Sequence, residues 1–265
     1  MFKKALSSAI VATSLFALSA PSSATLTNWY IDTDGPGVVA SKILVQDYLD
    51  LTGVAYVHNT FLNLTNFTFN EVGSFNILST DGGPPSGSLL NPALTAQFVA
   101  TGSGTTGGSL NFNPGGTLKV FSGILDIADF TLQSGSAILN SGTVLPNGDV
   151  SLIFKATNFL PGYFFDSAMI DLAPRVNSPT GLVLGFATTN VISRTGQTVP
   201  STLITRYNTA FDPDVGPTVV ANNTTDLYLS NNGQFRLQVP EPSMLSLFGL
   251  ALLGFCFASR RKFKA

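Results

Sequence analysis

The chain has little of what most catalytic and metal sites are built from. Its 265 residues include one histidine and one cysteine, which are too few for a zinc site of the Cys/His type or for an internal disulfide. Charged residues make up only 11 % of the chain, against about 25 % in an ordinary soluble domain. No excess of positive charge is available to neutralise phosphates, which argues against nucleic-acid binding. The hydrophobic residues, at 44 %, suffice for a folded core, and no cofactor is indicated.

The first 24 residues are typical of a secretory signal peptide. Lys3 and Lys4 precede an uncharged, mostly apolar run over residues 5–20. Small residues then lead up to Ala24, so a signal peptidase is expected to cut between Ala24 and Thr25. A first transmembrane helix is the alternative, which Pro21 and the small residues after it make less favourable.

The C-terminus combines three features in a fixed order. Pro240, Glu241 and Pro242 come first, and residues 243–259 follow without a charge. That run is 17 residues long, at the lower end of the roughly 17–25 residues of a membrane-spanning helix. The basic tail that follows, which should remain in the cytoplasm, contains Arg260, Arg261, Lys262 and Lys264.

This arrangement resembles the PEP-CTERM sorting signal of Gram-negative bacteria. The resemblance implies that an exosortase, a membrane transpeptidase, recognises Pro240, Glu241 and Pro242 and removes the tail. It also implies an exported protein of the outer surface or of an exopolysaccharide matrix. The sequence thus predicts a signal peptide at residues 1–24, an extracellular domain at 25–238 and a sorting signal with one transient transmembrane helix at 239–265.

The segment between the two ends is acidic. Residues 25–239 contain seven basic and fourteen acidic residues, a net charge of −7. Thirteen of the acids are aspartate, which favours turns, and Glu71 is the single glutamate. The segment contains no cysteine, because Cys256 lies in the tail.

Alternation of apolar and polar residues predicts an all-β domain. Clear examples are residues 60–70, 117–121 and 150–156, with Gly-, Asn- and Pro-rich turns between such runs. About ten or more strands in two packed sheets are expected, as in a jelly-roll-like β-sandwich. Asn231, Asn232 and Gly233 predict a hairpin turn, and residues 38–51 could instead form a short helix.

Candidates for catalysis are few. A triad or a histidine metal cage would have to use His58, which is more simply interpreted as a surface residue at the end of a strand. A glycoside hydrolase needs two carboxylates, but nothing marks a pair as special. We therefore predict a protein that is not an enzyme.

Two pairs of aspartates are weak candidates for calcium, namely Asp32 with Asp34 and Asp212 with Asp214. Carboxylate oxygens suit calcium, and Asp32-Thr33-Asp34-Gly35 resembles the start of a calcium loop. Pro36 and Ile43, however, occupy positions where an EF-hand needs ligands, so a capped turn is the better interpretation.

Possible sugar contacts are Trp29, Tyr30 and Tyr163, since tyrosine and tryptophan can both stack on a sugar ring and hydrogen-bond to it. The alternative is that these rings pack in the core. An exposed row of them would favour a carbohydrate-binding module with a defined sugar site, whereas buried rings would favour a structural protein.

Three internal segments are similar to parts of flocculation-associated PEP-CTERM proteins, namely residues 71–75, 132–136 and 161–167. This resemblance implies a role in holding cells together in flocs with exopolysaccharide. The leading hypothesis is an exported, non-enzymatic matrix protein that contacts extracellular polysaccharide. A carbohydrate-binding module is the second hypothesis, and a secreted glycoside hydrolase is the third.

Overall fold

The computed structural model describes residues 23–36, 42–139, 147–177, 183–211, 215–222 and 224–240. Contacts divide the chain into two units, one formed by Thr25–Gln238 and the other by Met1–Ala24 with Val239–Ala265. Nearly all of the described residues belong to Thr25–Gln238.

The elements follow one another along the chain as strands with three short helical insertions in the described ranges. The strands are β1 (Ser23–Thr25), β2 (Trp29–Ile31), β3 (Ile43–Val45), β4 (Leu49–Phe61), β5 (Asn66–Thr80), β6 (Leu94–Thr105), β7 (Ser109–Phe112), β8 (Thr117–Ser122), β9 (Leu125–Leu139), β10 (Asn147–Phe159), β11 (Phe164–Phe165), β12 (Leu184–Ser193) and β13 (Asp226–Pro240). The helices are α1 (Gly87–Leu90), α2 (Ala173–Val176) and α3 (Ser201–Phe211).

The long strands form one antiparallel sheet that closes on itself. β5 pairs with β4 on one side and with β6 on the other. A second run of pairings has the order β9–β10–β12–β13, and β13 then pairs with β4. β7 and β8 share the position between β6 and β9, since each pairs with both. The sheet is therefore an eight-stranded barrel.

The β-rich prediction is confirmed, but the prediction of a two-sheet, jelly-roll-like sandwich is wrong. Both architectures bury one face of every strand, so alternation along the sequence cannot tell them apart. Strand length and pairing decide between them here. β4, β5 and β13 are 13 to 15 residues long, and the pairing of β13 with β4 joins strands that would otherwise have free edges.

The interior of the barrel is filled mainly by aliphatic side chains and phenylalanine rings. On β6, Leu94, Ala96 and Phe98 are buried, while the residues between them remain half-buried. Phe130 meets Phe235 edge-on with 5.3 Å between ring centroids, which links β9 to β13. Among the described residues, this packing accounts for many of the phenylalanines in the chain.

Helix α3 covers part of the outside of the barrel. Its buried residues Leu203, Ile204 and Tyr207 pack against Tyr56 of β4 and Val72 of β5. The amides of Leu203 and Ile204 donate to the carbonyl of Pro200, which starts the helix. Apolar residues three and four apart carry the helical period, but the Ser/Thr-rich composition of the segment concealed it.

A second, three-stranded sheet has the order β11–β2–β3. Trp29 of β2 stacks on Phe164 of β11, and Phe164 stacks on Phe159 with 4.6 Å between centroids. Phe159 in turn meets Phe130 edge-on at 5.5 Å. This run of rings packs the small sheet against the interior of the barrel.

Two local predictions need correction. Asn231, Asn232 and Gly233 form no hairpin, because β13 runs through them without interruption. A Cβ on Gly233 would clash with the carbonyl oxygen of Thr188, so the glycine permits close strand approach rather than a turn. The alternative helix at 38–51 is also wrong for its described part, since β3 and the start of β4 occupy it.

Candidate functional site

The predicted targeting segments lie largely outside the described residues. This applies to residues 1–22, to Glu241 and Pro242, and to the basic residues Arg260, Arg261, Lys262 and Lys264. The predicted cleavage position between Ala24 and Thr25 falls within β1, and Pro240 is the last residue of β13. Within the described part of the chain, no helix combines the length and apolarity that a membrane crossing requires.

The aromatic residues proposed as sugar contacts pack in the small sheet. Trp29 is fully buried and Tyr163 is buried, whereas Tyr30 is half-buried. Burial, followed by the charges of Asp32 and Asp34, raises the pKa of Tyr163. The structure therefore does not support Trp29 and Tyr163 as stacking platforms, because Trp29 stacks on Phe164 and the Tyr163 side chain is buried.

The loop at Asp32 is a capped turn. Asp32 is buried, and its Oδ1 accepts hydrogen bonds from the amides of Asp34 and Gly35, both at 3.2 Å. This is the local bonding that aspartate provides in turns. Asp212 and Asp214 lie outside the described residues. Among the residues that are described, no cluster of three or more His, Cys, Asp or Glu could hold a metal ion.

His58 takes part in a cluster around Asp226 on the outside of the barrel. Asp226 Oδ1 accepts a hydrogen bond from Tyr56 Oη at 2.6 Å and lies 2.9 Å from His58 Nδ1. His58 stands opposite Asp226 in the register of β4 and β13 and is half-buried, so it is not the strand-end residue that the sequence suggested. Burial and the bond to Asp226 raise the pKa of Tyr56.

The Asp226 cluster fastens several elements to one another. Asn222 Nδ2 donates to Asp226 Oδ2 at 3.3 Å, and Tyr207 of α3 meets Tyr56 edge-on at 5.0 Å. Tyr207 Oη also accepts a hydrogen bond from Asn70 of β5 at 3.4 Å. These contacts join α3, β4, β5 and β13 at the seam where the barrel closes. The cluster is thus well placed to stabilise that closure.

A small cavity lies inside the barrel, and the buried carboxyl group of Glu71 is part of its lining. Its volume is about 40 Å³, and apolar residues of several strands line it together with Glu71, Thr189 and Asn231. Burial raises the pKa of Glu71 to about 8. The Oδ1 atom of Asn231 is buried without a hydrogen-bond partner. The cavity is large enough for water, which needs roughly 10–15 Å³ of this kind of volume.

Sequence reasoning identified neither the cavity nor the Asp226 cluster. A signal for the first was present, since Phe67, Phe69 and Glu71 share one parity in an alternating run and therefore face the same side. Asp226 and His58 are 168 residues apart, and only the pairing of β13 with β4 brings them together. Periodicity contains no information about such a distant pairing.

Residues 238–262 match a known family, the PEP-CTERM protein-sorting motif. The match confirms the predicted resemblance of the C-terminus, and the chain carries this sorting motif. No curated protein and no solved structure matches the chain. The motif implies a secreted protein that is sorted to the cell surface and has an exosortase as its processing partner.

Proposed function

We propose that the protein is a non-enzymatic structural component of the outer surface or exopolysaccharide matrix of a Gram-negative bacterium. In this role it supports floc and biofilm formation by contacting extracellular polysaccharide. The observation that carries the proposal is the sorting motif at residues 238–262, which directly follows a folded domain at Thr25–Gln238.

The fold supports a role outside the cell. Barrel closure leaves the long strands of the sheet with paired edges, which limits unwanted strand addition by other chains. The domain forms this closed barrel with no cysteine in residues 25–239. Its net charge of −7 over residues 25–239 is low enough for the domain to approach an anionic polymer without strong repulsion.

Aromatic packing favours a structural protein over a module with an aromatic sugar platform. Trp29, Tyr56 and Tyr207 are each at most 1 % exposed. Each of them contacts another aromatic ring, and Tyr56 also bonds to Asp226. The flocculation role itself depends on the resemblance of residues 71–75, 132–136 and 161–167 to flocculation-associated proteins.

Deletion of the gene followed by a settling assay tests the proposal. The deletion strain should lose flocculation, and the full chain should restore it. Glu241→Ala, in the sorting motif, should fail to restore it, whereas Asp34→Ala, an exposed acid in the folded domain, should succeed. Normal flocculation by the deletion strain would overturn the proposed function.

A further inference from the structure

Four polar side chains form a row across the outside of the barrel. Strand register places Asn190 of β12 opposite Asn232 of β13, Asn232 opposite Thr52 of β4, and Thr52 opposite Asn76 of β5. Residues directly opposite each other in an antiparallel sheet point to the same face. We call Asn190, Asn232, Thr52 and Asn76 the amide row.

The amide row faces solvent. The three asparagines are exposed and Thr52 is half-buried, while their strand neighbours Val191 and Asn231 are buried. Among the described residues, no side chain of the amide row hydrogen-bonds to another protein group. With strands about 4.8 Å apart, the row extends over roughly 14 Å. It therefore offers a line of unused donors and acceptors.

An open groove of about 230 Å³ lies beside the centre of the row. Thr52 and Asn232 line it together with Asp50, Ser79 and Gly82. A shift of register between Asp50 and Leu51 interrupts the regular pairing of β4 with β5 at this place. Such bulges re-aim side chains and open the local surface.

The groove carries a fixed carboxylate. Asp50 Oδ2 accepts hydrogen bonds from Ser79 Oγ at 2.9 Å and from the Gly82 amide at 3.0 Å. The adjoining turn is fixed as well, because the carboxylate of Asp81 accepts bonds from the amides of Gln46, Asp47 and Tyr48 at 2.7–3.0 Å. A preformed site of this kind loses little entropy when it binds a ligand.

The chemistry of this surface matches a hydroxyl-rich, uncharged chain. Asparagine and threonine side chains both donate and accept hydrogen bonds, as sugar hydroxyls do. A carboxylate such as Asp50 only accepts and suits hydroxyl donors. The amide row contains no cation that would select an anionic polymer. We propose that the amide row and the Asp50 groove together bind a neutral polysaccharide chain.

This inference rests on the proposed function and names the class of partner that the matrix protein contacts. The surface differs from the aromatic contacts predicted from the sequence, because its members are amides and hydroxyls from four strands. It depends on strand register, which places residues more than 100 positions apart in the chain side by side.

Affinity electrophoresis of the full chain in detergent tests the inference. The probes are the exopolysaccharide of the producing strain, separated by anion exchange into a neutral and an acidic fraction. The neutral fraction should retard the wild-type protein. Asn76→Ala and Asn232→Ala should each weaken its binding by roughly 2- to 12-fold, the equivalent of one hydrogen bond.

Asn111→Ala is the matched control, since Asn111 is an exposed asparagine on β7, away from the amide row. It should bind like wild type, and all three variants should unfold at the wild-type temperature. Equal binding by all variants, binding to the acidic fraction alone, or no binding to either fraction would overturn the inference. If Asn76→Ala/Asn232→Ala binds the neutral fraction as tightly as wild type and the deletion strain still loses flocculation, the inference fails while the proposed function remains.

Discussion

Glu71 and Asn231 face the same cavity inside the barrel, although their strands, β5 and β13, are separated by β4. Glu71 is 8 % exposed and Asn231 is 5 % exposed. A buried carboxyl group among apolar side chains is stable mainly in its neutral form. The interior of the barrel therefore contains a group whose ionisation opposes folding.

The first prediction concerns pH. The pKa of Glu71 rises from 4.5 to about 8 on folding, so between these values the native state holds a proton that the unfolded state has released. Stability should therefore fall with rising pH across this window, by at most about 1.4 kcal/mol per pH unit. Glu71→Gln should remove this fall, as urea unfolding between pH 4 and pH 9 would measure.

Asp149→Asn serves as the control for this prediction, because Asp149 is an exposed acid on β10. It should keep the wild-type pH dependence. An identical pH dependence of stability in the wild type and in Glu71→Gln would refute the assigned burial of Glu71.

The second prediction concerns the seam at which the barrel closes. Tyr56→Phe removes the hydroxyl that donates to Asp226 at 2.6 Å and leaves the ring in place. A hydrogen bond to a charged group contributes about 1.5–3 kcal/mol, and the free energy of unfolding should fall by that amount. Tyr228→Phe is the matched control, since Tyr228 stands opposite Tyr56 in the register. Equal effects of the two substitutions would contradict the role of the Tyr56–Asp226 bond.

The third prediction concerns Gly233, which the sequence suggested as part of a turn. Gly233→Ala would place a Cβ against the backbone of Thr188 and Thr189, and overpacking of this kind costs about 1–3 kcal/mol. Gly216→Ala should be nearly neutral, because no atom lies within 4 Å of the added Cβ. Thermal unfolding of the two variants compares them directly. A Gly233→Ala protein as stable as Gly216→Ala would contradict the close approach of the β12 backbone to Gly233.

Sequence patterns predicted the strands but not their closure. Alternation identified residues 60–70 and 150–156 as strand segments, and β4, β5 and β10 contain most of them. It could not identify the pairing of β13 with β4, because the two strands are far apart in the chain and any half-buried sheet shows the same period. Residue type was also misleading within β13. Asn231 and Asn232 have the composition of a turn, yet one faces the interior cavity and the other faces solvent.

The candidate sites also differ in whether local sequence is enough to predict them. The sorting motif is contiguous, so its residues and their order were sufficient to predict it. Trp29 and Tyr163 are candidates because of their residue type and local position in the sequence, neither of which distinguishes a ring on the surface from a ring in the core. The amide row, the Asp50 groove and the Asp226 cluster all depend on strand register. They could be found only after the barrel was known.

Sorting through the C-terminal motif is tested by the distribution of the protein between membrane and extracellular matrix. Quantitative immunoblotting of the two fractions would compare the wild type with a variant in which Pro240, Glu241 and Pro242 are all alanine. We expect the wild-type protein to be recovered from the matrix and the variant to remain with the membrane. Equal recovery of both proteins from the matrix would contradict it.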